Sequence, residues 1–249
     1  MWFFFVIFLG VLVTKKNLKM AEATKKKKKK SKDDDDDDEE DQRGRKKNKK
    51  TKTSNDDDEK KKKKKKKNIL ICGTPGTGKS TLAKLVLEKA NSSLNDNAAK
   101  NGESLSEYEY VNVGDVCKRE KYYHSFDERL NSYVIDEDKI LDHLEPLIEK
   151  GGMIVDYHSS EFFPERFFSH VIVLTCGRED TKILYERLEQ RDGYTKEKIR
   201  QNVECEIFGE CVEEAKEAYT GEGVVHVRSN ETEEEMEATV KFIAEELLV

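Results

Sequence analysis

The chain has 249 residues and a formal net charge of -6, with 39% charged and 35% hydrophobic residues. Residues 14–67 carry 25 Lys/Arg against 14 Asp/Glu, whereas residues 68–249 carry 21 against 38, a net of -17. Charge blocks such as Lys25–Lys30, Asp33–Asp38 and Lys60–Lys67 have nothing apolar to bury, which excludes the first part as a folded domain.

The apolar head "MWFFFVIFLGVLV" (1–13) is short of the ~20 residues that a membrane helix needs. No positive charge precedes it and no small-residue cleavage site follows. It fits a cleaved signal, a membrane anchor, or a rarely used upstream start with Met20 as the real beginning; "MAEATKKKKKK" favours the last. The lysine blocks read as nuclear-targeting or RNA-contacting segments, or as solubilising low-complexity tail. Five cysteines in no framework spacing argue against a disulfide scaffold, and no Cys-x-x-Cys pair suggests zinc. A disordered charged extension over 1–67 and one α/β domain over 68–249 are expected, in a reducing compartment.

"NILIC" (68–72) predicts a buried strand. "GTPGTGKS" follows, then a helix marked by Leu82, Leu85 and Val86. The polar stretch 91–107 reads as a surface insertion. "YVNV" (110–113) is a second strand, and the charged region 114–135 looks irregular. Asp136 should cap a helix that ends at Gly151, with Pro146 interrupting its pattern. "MIVDYH" (153–158) and "HVIVLTC" (170–176) are continuous apolar runs, as in parallel strands covered on both faces. Helices over about 179–190 and 195–219, a fifth strand at 224–229 and a final helix complete a doubly wound five-stranded parallel sheet.

Gly73-x-x-x-x-Gly78-Lys79-Ser80 matches the P-loop pattern in full, with a strand before it and a helix after it. Gly76, Gly78, Lys79, Ser80 and Thr81 are expected to hold the phosphates of ATP, and the Ser80 hydroxyl to ligate Mg2+. Asp156, at the end of an apolar run, is the expected acid beside that metal, acting through a coordinated water. Phosphoryl transfer also needs cations around the moving group. Arg187 and Arg191 lie four apart on one helix face, and Arg119 follows the second strand; all three are candidates.

Together "NILICGTPGTGKSTLAK", "YVNVGDV", "VIDEDKILDHL", "GGMIVDYHSSEFFPERFF", "LYERLEQRDGY" and "ECEIFGECVEEAKEAY" resemble the adenylate kinase isoenzyme 6 family. D-Y-H stands where ordinary adenylate kinases have D-G-F-P-R. The resemblance implies transfer of the ATP γ-phosphate to AMP or a related nucleoside monophosphate, with Mg2+, plus slow ATP hydrolysis. It implies a monophosphate-binding segment on about Asn112–Ile135, with Asn112, Arg119 and Arg187 on the acceptor, and a short lid beginning near Arg191. It also implies a role in maturing the small ribosomal subunit through a platform ribosomal protein and its rRNA, in nucleus and cytoplasm. A monomer without stable membrane association is expected. The chain departs from the family pattern at Arg191-Asp192-Gly193-Tyr194, one residue longer than R-G-Y, in the insertion 91–107, and in the N-terminal extension.

His158, two residues beyond Asp156, should share its strand face. It is expected beside the Mg2+ or the γ-phosphate, with a charge that depends on pH near neutrality. The alternative is a structural histidine that shapes the following turn.

Overall fold

The computed structural model describes residues 65–101, 107–128, 132–177 and 180–248. The apolar head and nearly all of the charged extension lie outside them. The described chain begins at Lys65, slightly before the expected boundary. Lys66 sits over the Tyr108 ring at 4.4 Å, and the Lys67 ammonium donates to the Leu247 carbonyl at 2.7 Å. Among the described residues no helix is long and apolar enough to cross a membrane.

The elements are β1 (Ile69–Gly73), α1 (Lys79–Asn101), β2 (Glu109–Asn112), α2 (Val113–Glu120), β3 (Tyr123–Asp127), β4 (Ser132–Ile135) and α3 (Glu137–Lys150). There follow β5 (Met153–Asp156), β6 (His170–Thr175), α4 (Lys182–Glu189), α5 (Lys196–Phe208), α6 (Glu210–Ala218), β7 (Val225–Ser229) and α7 (Glu233–Phe242). Five strands form one sheet in the order β2-β5-β1-β6-β7, and every pairing is parallel. The expected strands and their doubly wound arrangement are all present. Successive side chains of a strand point to opposite faces. Accordingly Ile69 and Ile71 pack with Leu82 and Val86 of α1, while Leu70 and Cys72 pack with Ile140 and Leu144 of α3. All eight are fully buried, so both faces of the central strand are covered, as the unbroken apolar runs require.

Asp136 caps α3 by accepting from the Lys139 N–H at 3.3 Å, and the helix passes through Pro146 to Gly151. The polar stretch after residue 90 continues α1 as helix to Asn101. Its Asn and Ser residues compete with helix in isolation. Here the Asn91 amide instead brackets the Tyr108 backbone, accepting from its N–H at 2.7 Å and donating to its carbonyl at 3.1 Å. Two expectations are corrected. Among its described residues the region 114–135 is not irregular: α2 leads into an antiparallel pair of β3 and β4, with Tyr133 against Tyr123 and Phe126. The single helix expected over 195–219 is two, α5 and α6, divided at Gly209 in the left-handed region with φ 65°. Only glycine enters that conformation at no steric cost.

Candidate active site

The carboxyl ends of β1, β2 and β5 meet at one place, where open parallel sheets bind ligands. Gly73 to Ser80 form the turn between β1 and α1. Gly73 has φ 136°, and a Cβ there would lie 2.3 Å from the Leu174 carbonyl oxygen of β6. Gly78 has φ 97°, and its Cβ would meet the Asn230 amide nitrogen at 2.3 Å. Side chains at either position would push the loop off its supports. The Thr74 carbonyl collects the Thr77 N–H at 3.3 Å, the Thr77 hydroxyl at 2.9 Å and the Lys79 ammonium at 2.9 Å. That ammonium also donates to the Gly73 carbonyl at 2.8 Å. Helix α1 begins at Lys79 with no acid in its first turn, so its positive dipole end faces the loop. Ser80 and Thr81 are exposed on that turn.

Asp156 is 1% exposed, and three donors converge on its Oδ2. Ser80 Oγ donates at 2.5 Å, Asn112 Nδ2 at 2.8 Å and the Tyr110 hydroxyl at 3.0 Å. Asn112 also accepts from the Asp115 N–H at 3.0 Å, which starts α2. One carboxylate thus ties the phosphate loop to the first residue of the expected monophosphate segment. Tyr110 escaped the sequence reading, although it lies two residues before Asn112 and so on the same strand face.

The donor set fits Mg2+: a hydroxyl and a carboxylate, both hard oxygens. Among the described residues no group of three or more His, Cys, Asp or Glu could hold a metal ion. A nucleotide-bound Mg2+ needs none, since it takes one or two protein oxygens and completes its shell with phosphates and water.

The strand expected over 153–158 ends at Asp156, so His158 lies beyond β5 and not on its face as expected. Its carbonyl accepts from the Gly73 N–H at 3.3 Å and from the Cys211 thiol at 3.6 Å, and its ring lies 4.1 Å from that of Tyr157. Burial and then the Lys79 charge lower its pKa from 6.5 to about 3. The expected charge change near neutrality is therefore corrected: the imidazole is neutral there. A histidine that protonates less readily folded than unfolded contributes its full stability above the unfolded value, and loses it as pH falls from 6.5 toward 3. His158→Gln should therefore lose less stability than wild type between about pH 7.5 and pH 5, read as urea midpoints.

The three arginines separate. Arg191 follows α4, with its guanidinium 5.2 Å from the Tyr194 ring, and its charge helps lower the Lys79 pKa after burial. Arg119 is exposed and pairs with Glu120 at 2.7 Å. Burial and the charges of Arg191 and Lys118 lower the pKa of Lys198. The Lys198 ammonium lies 4.7 Å from the same Tyr194 ring. Arg187 donates to the carbonyls of Asn230 at 2.8 Å and Glu231 at 3.2 Å. The Asn230 amide in turn donates to the Thr77 carbonyl at 2.6 Å, so Arg187 braces the loop from behind.

Two buried acids were not singled out from the sequence. Glu206 of α5 accepts from the Thr74 hydroxyl at 2.5 Å and from the Cys176 N–H at 2.8 Å. Glu214 of α6 gathers the turn after His158, accepting from the Ser159 hydroxyl at 2.7 Å, the Glu161 N–H at 2.6 Å and the Ser160 N–H. Burial raises its pKa, against the effect of these donors.

A parallel sheet, a glycine loop at its carboxyl edge and an acid facing the loop serine define a P-loop phosphotransferase. A family model described as an AAA domain matches residues 69–209. Adenylate kinase isoenzyme 6 homologs are similar over most of the folded part. One from Caenorhabditis elegans is 42% identical over 180 residues, covering 72% of this chain and 87% of the other. One from Schizosaccharomyces pombe is 43% identical over 178 residues, covering 72% and 90%. The chain belongs to the adenylate kinase isoenzyme 6 family, within the AAA-domain class of that model, and is a nucleotide kinase.

Proposed function

We propose that the chain transfers the γ-phosphoryl group of ATP to AMP or a related nucleoside monophosphate, and hydrolyses ATP slowly when no acceptor is bound. The observation that carries this reading is the shared carboxylate of Asp156, bonded to Ser80 on the donor side and to Asn112 on the acceptor side. Lys79 and the loop N–H groups receive the β- and γ-phosphates. Ser80 and Asp156 would hold Mg2+, which would offset charge on the phosphate oxygens. Arg191, Lys198 and Lys118 supply positive charge from the lid and acceptor sides. His158, neutral and beside Lys79, orients the attacking oxygen without adding charge.

The test is ADP formation by the full chain from Mg-ATP, with and without AMP. Acceleration by AMP is expected; a rate indifferent to AMP would remove the kinase reading in favour of an ATPase. His158→Ala should keep ATP affinity and lower turnover by about 10–10²-fold. Wild-type rates of both transfer and hydrolysis in that variant would make the residue structural.

The second reading has its own support. A net charge of -17 over residues 68–249 suits a basic protein partner better than RNA. We infer that the same site serves small-subunit maturation as a switch, through a platform ribosomal protein and pre-ribosomal rRNA, in nucleus and cytoplasm, with the chain acting as a monomer. Association with that protein should weaken when ATP is hydrolysed; binding indifferent to nucleotide sinks the switch. Deletion of residues 1–64 tests the lysine tracts, and an unchanged nuclear distribution would remove their targeting role.

A further inference from the structure

Glu206 lies near the end of α5 and is 3% exposed. Its two oxygens serve segments from different parts of the fold: Oε2 takes the Thr74 hydroxyl and Oε1 the Cys176 N–H at the end of β6. Thr74 is itself 1% exposed, and its carbonyl is where Lys79 and Thr77 converge. The residue that anchors the catalytic ammonium is thus anchored by Glu206. At its other end α5 opens directly after Arg191–Tyr194 and carries Lys198 in its first turn, over the Tyr194 ring.

We propose that Glu206 is a positioning residue for phosphoryl transfer. It holds Thr74, and through the Thr74 carbonyl the Lys79 ammonium, in fixed relation to the helix that carries Lys198. It touches no substrate. The inference rests on the kinase reading of the site.

The bond pattern makes the idea separable from general stability. The Thr74 hydroxyl and the Cys176 N–H are both donors, so a carboxylate meets them with two acceptor oxygens. Glutamine can keep both bonds, its carbonyl oxygen taking the Cys176 N–H and its amide donating to the Thr74 oxygen. Alanine leaves two buried donors without acceptors, and Thr74→Val removes one partner at nearly constant shape.

The experiment compares the full chain with Glu206→Ala, Glu206→Gln and Thr74→Val. Thermal unfolding, affinity for a fluorescent ATP analogue, and kcat and KM for transfer to AMP are measured where every variant is folded. Glu206→Ala and Thr74→Val are expected to lose about tenfold or more in kcat, with less than about threefold change in ATP affinity, because a misplaced group slows the reaction more than it weakens binding. Glu206→Gln should stay within about threefold of wild type. Wild-type kcat in folded Glu206→Ala would overturn the proposal whatever its melting temperature. Glu206→Gln as impaired as the alanine variant would overturn it too, since charge rather than bonding would then matter. Should the alanine variant not fold, Thr74→Val decides on the same criterion. ATP hydrolysis is recorded in parallel. If wild type hydrolyses ATP but transfers nothing to AMP, the kinase reading fails, and the hydrolysis rates still decide the role of Glu206.

Discussion

Asp156→Asn is expected to fold like wild type and to lose about 10²–10³-fold in kcat, the scale seen when one electrostatic group is removed from a preorganised site. Asparagine has the same shape, and its carbonyl oxygen can sit where Oδ2 now accepts from Ser80, Asn112 and Tyr110. Those three donors keep their acceptor, while the new amide NH2 takes the buried Oδ1 position. What disappears is the negative charge that would help hold a bound Mg2+. The loss should therefore be accompanied by a higher Mg2+ requirement and a nearly unchanged melting temperature. Asp156→Ala would confuse the issue, since three donors around a buried position would lose their acceptor, at about 1–3 kcal/mol for a buried unsatisfied group. A melting temperature that falls sharply in the asparagine variant, with turnover retained, would mean that Asp156 only organises the strand ends.

Lys79→Met should cost about 10²–10³-fold in kcat/KM, because the charge is lost while the stem is kept. The ammonium bridges the Gly73 and Thr74 carbonyls, but Thr74 keeps both Thr77 donors, so the loop retains its turn. Activity rather than stability should therefore change. Both KM for ATP and kcat should worsen, since the ammonium meets phosphates in the bound complex and in the transition state. Lys79→Arg should not rescue it. A planar guanidinium cannot take the place of a compact ammonium between two carbonyls of one tight turn.

The parts of the molecule that were legible in the sequence are local ones. Gly73 to Ser80 is a single turn, and its glycines and lysine are dictated by backbone geometry within eight residues. Asp156 ends an unbroken apolar run, and Asp136 caps the next helix from three residues away. The antiparallel pair of β3 and β4 was hidden because its first strand faces solvent and lacks apolar alternation: His124, Ser125 and Phe126 are all exposed. Its pairing depends on a partner strand and on aromatic contacts around Tyr133. The clamp by Glu206 was hidden for another reason, since 132 residues separate it from Thr74. A glutamate in a charged helix gives no sign that folding will bury it. Arg119 and Lys118 show the limit of residue type as a guide. They are adjacent and exposed on α2, yet Arg119 pairs with Glu120 while the Lys118 charge acts on Lys198.

The central claim is that one site joins a nucleoside triphosphate donor to a monophosphate acceptor through Asp156. The most direct measurement gives the full chain γ-labelled ATP, Mg2+ and unlabelled AMP, and follows the label during the first turnovers. The account predicts that it appears in the β-phosphate of ADP formed from AMP, and that Asp156→Asn suppresses it. Label found wholly in inorganic phosphate, at a rate unaffected by AMP, would contradict it.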